Sequence, residues 1–96
     1  MTGSEVTREY TMFALRGNQI TDPMRLRLSA RRVDALDATG LLIATARFVS
    51  PTAGWEVTLA PLFRQVVSFE PFKDEAILQL RRVVGEVGMH QKGTNR

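Results

Sequence analysis

The feature that most constrains the fold is a change of hydrophobic period near Pro71. Over residues 71–87, Ala76, Leu80, Val83 and Val87 recur at i, i+4, i+7 and i+11, and Ile77 and Val84 widen the stripe. That spacing gathers the apolar side chains on one face of an α-helix. Pro71 suits a first turn, where its missing N–H is no loss. Glu70, Asp74 and Glu75 sit at the positive end of the helix dipole, and Arg81 and Arg82 come later. Gly88 is the predicted stop. Gly85 falls inside the helix at a cost of about 1 kcal/mol against alanine, which predicts a loose last turn.

Upstream of Pro71 the period is two. Residues 41–49 form a β-rich apolar run with Leu42, Ala44, Ala46 and Phe48 on one face. Ser50-Pro51-Thr52-Ala53-Gly54 carries Pro and Gly where a hairpin wants them. Trp55, Val57 and Leu59 then alternate with Glu56 and Thr58, the pattern of a half-buried strand. Residues 63–69 alternate through Gln65 and Val67, and read as a strand in preference to a short helix begun by Pro61. Trp55 reads as a core anchor rather than a base-stacking platform.

Residues 22–40 leave two readings open. Met24, Leu26, Leu28 and Ala30 alternate strictly with Arg25, Arg27 and Ser29. Yet residues 29–36 have helix-forming composition, with Ser29 as an N-cap and Gly40 as a stop. One long helix is excluded, because it would place apolar residues on two opposite sides. Either a strand runs into a short helix, or a long strand turns at Asp37-Ala38-Thr39-Gly40 into the next.

A chain of 96 residues makes one domain, with an ordered core over about 9–88 and frayed polar termini. Its 44% hydrophobic and 24% charged residues argue against disorder. The absence of cysteine excludes disulfides, thiolate metal sites and cysteine nucleophiles. There is no run of 18 apolar residues, and Met1-Thr2-Gly3-Ser4-Glu5 has neither a basic nor an apolar signal region. A cytoplasmic protein with no membrane partner is the expectation.

Neither catalysis nor a cofactor is expected. His90 is the single histidine and lies in the C-terminal stretch, away from any partner that could orient it as a base. Asp34 and Asp37, beside Gly40, read as turn or cap residues. No phosphate-loop, dinucleotide or metal-ligand spacing occurs.

Charge is the feature left to carry function. The net charge is only +3, but arginine outnumbers lysine eleven to two. Arg16, Arg25, Arg27, Arg31 and Arg32 fall within 17 residues against one acid, Asp22. A guanidinium fork suits phosphate better than a lysine point charge does. On a strand, Arg25, Arg27 and Arg31 would point the same way and could grip successive phosphates. The competing reading is a solvated sheet face balanced by Glu and Asp across the ladder.

Three resemblances add expectations. Residues 28–42 followed by a hairpin to 59 resemble the recognition helix and wing of winged-helix DNA-binding proteins. That resemblance implies a helix in the major groove, with Ser29, Arg31, Arg32 and Arg47 near DNA. Gly54-Trp55-Glu56-Val57 and Phe69…Lys73-Asp74-Glu75-Ala76-Ile77 make residues 47–84 similar to a small uncharacterised bacterial family. That one implies a three-stranded meander with a helix on it. Arg27-x-x-x-Arg31 with Asp37-Ala38-Thr39-Gly40-Leu41 resembles the PilZ domain, which binds cyclic di-GMP, though the pieces lie closer together here and Thr39 stands for that family's serine.

The expected fold is therefore α+β: an antiparallel meander of three or four strands with a C-terminal helix packed on one face. The expected function is a small, regulator-like DNA-binding module using Arg25, Arg27, Arg31, Arg32 and Arg47 on duplex phosphates. The alternative is a phage- or plasmid-type accessory protein that docks on an acidic protein surface. One helix leaves the other sheet face open, either basic and nucleic-acid-facing or apolar and able to pair two copies as a homodimer.

Overall fold

Local hairpins build the whole sheet. The structure, a computed structural model, describes residues 7–60 and 65–94. Its strands are β1 (Arg8–Arg16), β2 (Gln19–Leu28), β3 (Arg32–Asp37), β4 (Leu42–Ser50), β5 (Gly54–Leu59) and β6 (Val66–Glu70), followed by the helix α1 (Lys73–Thr94). Each strand pairs antiparallel with the next, so the sheet order is the chain order. The α+β class and the helix packed on the sheet stand as expected. The strand count does not: the sheet has six strands, where three or four are expected.

Two segments account for the difference. Residues 8–16 form β1, in which Tyr10, Met12 and Ala14 share a face; a Gly17-Asn18 turn with Gly17 at φ 62° returns the chain into β2. Residues 22–40 resolve into the end of β2, a tight turn and β3. Strand geometry wins over helical composition here because it points Val33 and Ala35 together into the core, where both are fully buried. β2 and β4 also satisfy the backbone of β3 on both sides. The segment for which the winged-helix resemblance implies a recognition helix is therefore mostly strand.

The meander and helix implied for residues 47–84 are present as the end of β4, β5, β6 and most of α1. Gly88 does not stop α1, which runs through to Thr94. His90 thus belongs to the helix rather than to a tail. The expectations for residues 1–6, 61–64 and 95–96 lie outside the described residues.

The core forms where the inner face of the sheet meets α1. Met24 and Leu26 from β2, Val33 and Ala35 from β3, Ala44 and Ala46 from β4, and Trp55 and Val57 from β5 are buried against Ala76, Leu80, Val83 and Val84. The small residues of β3 and β4 let the helix approach closely. Two further interactions hold its flank to β1: Arg81 Nε donates to the Phe13 carbonyl at 2.8 Å, and Gly85 lies so near that a Cβ would overlap the Leu15 carbonyl. Gly85 is thus a close-packing position in a tightly docked stretch, not the cause of a loose turn. At the start of α1, Lys73 Nζ donates to the Ser29 carbonyl at 2.8 Å and lies 5.5 Å from the Trp55 ring centroid. It ties the β2–β3 turn to the core aromatic pair Trp55 and Phe48, which meet edge to face.

Candidate anion-binding face

The outer face of the sheet carries the charge. In β2 the alternation that buries Leu26 turns Arg25 and Arg27 outward. Register then sets their neighbours: Arg25 lies opposite Thr11 and Leu36, and Arg27 lies opposite Glu9 and Asp34. In β3, Arg32 shares this face with Asp34, and Arg32 pairs directly with Arg47 of β4. Four of the five predicted arginines thus meet on one surface across three adjacent strands.

Arg31 is the exception. It sits in the turn between β2 and β3, exposed, and its carbonyl accepts the Phe48 N–H at 2.9 Å. The period-two extrapolation from Arg25 and Arg27 fails for it because the strand ends at Leu28.

Acids flank these arginines. Arg25 Nη1 lies 3.6 Å from Glu9 Oε2, Arg32 Nε donates to Asp34 Oδ1 at 2.8 Å, and Arg47 Nη2 donates to Glu56 Oε1 at 3.2 Å. The face therefore combines four guanidinium groups with Glu9, Asp34 and Glu56, and part of the predicted cross-ladder balance is real. All three pairs have an arginine side chain about half exposed or more, so each adds little to stability.

Beneath the charges lies a polar floor. Thr45 and Thr58 point to the same side and pair across β4 and β5, yet both are buried. Thr45 Oγ1 donates to Asp34 Oδ1 at 3.0 Å, and Thr58 Oγ1 donates to the Thr45 carbonyl at 3.5 Å. A pocket of about 300 Å³ opens here, lined by Arg32, Thr45, Arg47 and Thr58. The threonines are absent from the sequence-derived candidates. Thr45 at two residues from Arg47 was a readable signal, but its pairing with Thr58 depends on register.

Asp37 serves the backbone. Its Oδ1 accepts from Thr39 Oγ1 at 2.6 Å, from the Thr39 N–H at 2.9 Å and from the Leu41 N–H at 3.0 Å, closing the β3–β4 turn. Partial burial pushes this carboxyl up, but the bonds from Thr39, Leu41 and Gly40 together hold it below its ordinary value. Asp37 is thus the turn residue expected of it; Asp34 lies on β3 among the charges.

The sheet edge β6 is different in character. Val66, Val67 and Phe69 are exposed along it, and a groove of about 350 Å³ runs between this strand and α1, lined by Leu59, Val83 and Val87 together with Gln65 and Glu86. Among the described residues, no cluster of three or more His, Cys, Asp or Glu side chains gathers as a metal site, and no helix is long and apolar enough to cross a membrane. Compared with protein-family models, curated proteins and solved structures, the chain matches none.

Proposed function

We propose that this protein is a non-enzymatic, regulator-like module that binds nucleic acid by gripping backbone phosphates with the outer face of its sheet. One observation carries the reading: Arg25, Arg27, Arg32 and Arg47 emerge from β2, β3 and β4 onto one surface. The ion-paired guanidinium groups commit one nitrogen each to a carboxylate, which leaves other N–H donors of each fork for phosphate oxygens. The carboxylates also hold the forks in place. Their cost is a nearly balanced field, so binding is modest in affinity and steeply weakened by salt.

The test is duplex binding as a function of salt. Each phosphate that an arginine no longer neutralises lowers the slope of log affinity against log salt by about 0.9. Arg25→Gln with Arg27→Gln is expected to reduce the slope by nearly twice that amount while leaving the fold intact. Absence of duplex affinity even at about 50 mM salt, where electrostatic binding is strong, would overturn the reading.

A second reading draws on the β6 edge. Exposed Val66, Val67 and Phe69 beside a groove of mixed lining are what a protein partner or a second copy of the chain would cover. On this reading the protein is an accessory factor docking on another protein, and the arginines meet an acidic surface. Binding would then persist in lysate treated with nuclease.

A further inference from the structure

The pairing of Arg32 with Arg47 breaks a rule of sheet construction. Like charges directly opposite each other across an antiparallel ladder destabilise it, and here two guanidinium groups occupy one such pair. Opposite charges would satisfy the strands without this conflict. Glu56 lies directly opposite Arg47 on its other ladder and Asp34 lies two residues along β3 from Arg32, so each carboxylate meets one arginine and neither stands between the two. Local rules broken without an evident structural gain point to a functional position.

The second observation is the buried floor beside the arginines, in the adjacent row of the ladder. Thr45 is 1% exposed and Thr58 5% exposed, although both lie on the outer face rather than in the core. The pocket above them, about 300 Å³ in volume, stands at the small end of ligand sites. It is the size for one phosphate-bearing group and far too small for a duplex.

We infer that this pocket is a discrete subsite for a single phosphate group, held between the forks of Arg32 and Arg47. An oxyanion placed there would meet two cations at once and remove their mutual repulsion. Arg32 binds Asp34 through Nε alone and Arg47 binds Glu56 through Nη2, leaving both terminal nitrogens of Arg32 and Nη1 of Arg47 for the ligand. Thr58, whose hydroxyl makes only a long 3.5 Å bond to the Thr45 carbonyl, can turn to donate as well. Asp34 and Glu56 act as positioning residues. The inference rests on the reading of this face as phosphate-binding, and narrows it: Arg25 and Arg27 track the backbone, whereas Arg32 and Arg47 seat one phosphate.

The experiment is an amide NMR titration of the full chain with inorganic phosphate at constant ionic strength, using chloride as the balancing anion. Saturable shifts centred on Thr45 and Thr58 are expected. Arg32→Gln and Arg47→Gln should each weaken phosphate about tenfold or more, the loss expected for one charge-assisted hydrogen bond, and Arg16→Gln, at the exposed end of β1 opposite Gln19, should leave it within about twofold. Arg47→Lys keeps the ion pair with Glu56 and serves if the glutamine variant does not fold; it should also bind phosphate more weakly.

Non-saturating shifts, or shifts unchanged in both Arg32→Gln and Arg47→Gln, would overturn the subsite. A parallel titration with a 5′-phosphorylated and an unphosphorylated oligonucleotide separates the sources of the phosphate. Preference for the phosphorylated strand assigns a terminal phosphate, and equal binding of the two, abolished by Arg47→Gln, assigns a backbone phosphate. If duplex affinity survives while inorganic phosphate shows no saturable site, the subsite alone is wrong. If phosphate saturates and no oligonucleotide binds, the subsite stands and the nucleic-acid reading falls.

Discussion

Arg25, Leu26 and Arg27 are consecutive residues with opposite fates. Leu26 is fully buried against α1, while its two neighbours stand on the outer face. The inner face is a largely apolar surface whose centre is packed under α1. The outer face is a set of exposed charges over two buried threonines, and little of it is needed to hold the molecule together. Stability and binding are thus separated across the thickness of one sheet. A substitution should reveal which side it lies on by what it changes.

The largest effect is expected on the inner side. Leu80→Ala removes a fully buried side chain from the centre of the interface and should cost about 2–5 kcal/mol through transfer and cavity terms. Leu78, two residues away and 36% exposed, is the internal control. Leu78→Ala should stay near about 0.5 kcal/mol in the same denaturant melts. Equal losses at the two positions would mean that α1 is not docked through the face described.

Gly85→Ala comes next and tests the flank of the helix against β1. Helix propensity alone predicts a gain of about 1 kcal/mol. The overlap of the new Cβ with the Leu15 carbonyl predicts instead a net loss of about 1–3 kcal/mol, the usual cost of overpacking. A stabilised variant would show that β1 and α1 stand farther apart.

Asp37→Ala probes a turn that belongs to neither face, and should cost about 1 kcal/mol at neutral pH. The sign of its pH dependence follows from the lowered carboxyl. A group whose folded value is depressed stabilises fully above its unfolded value, near about 3.9, and loses that contribution as pH falls through the folded value. The gap between wild type and Asp37→Ala should therefore close below about pH 4. A gap that stays constant in acid would assign the effect to the side chain's volume instead of its charge.

The smallest stability effect is expected on the outer side. Arg25→Gln with Arg27→Gln should leave the unfolding free energy within about 0.5 kcal/mol. Its consequence should appear in the salt dependence of duplex binding alone. A large loss of stability would erase the division between the faces.

The difference between the faces also explains what was legible in advance. Burial depends on period, and period is local: α1 from Ala76 to Val87, the alternation around Trp55 and the outward turn of Arg25 and Arg27 can all be read along the chain. β1 carries the same signals, alternation and a Gly17-Asn18 turn, yet the three or four strands expected from sequence leave it out. Residues 29–36 could not be decided locally, since their composition favours helix and only the flanking strands β2 and β4 favour extension.

The candidate site was legible as a set of residues and not as an arrangement. The arginines can be named from sequence, but their company cannot. Glu56 beside Arg47 and the opposition of Arg32 and Arg47 follow from ladder register, whereas Glu9, which register sets opposite Arg27, reaches Arg25 along the diagonal. Arg31 shows the same limit, because where β2 ends decides whether it joins the row.

The sequence by itself determined an α+β chain, the apolar face of the C-terminal helix, and the outward positions of Arg25 and Arg27, because side-chain direction repeats every two residues in a strand and every 3.6 in a helix. Tertiary structure alone decided the six-stranded order, the close approach that makes Gly85 necessary, and the polar pocket between Arg32 and Arg47. These depend on which backbone lies beside which, and residues far apart in the chain become neighbours only when hairpins close in register and the helix settles on the sheet.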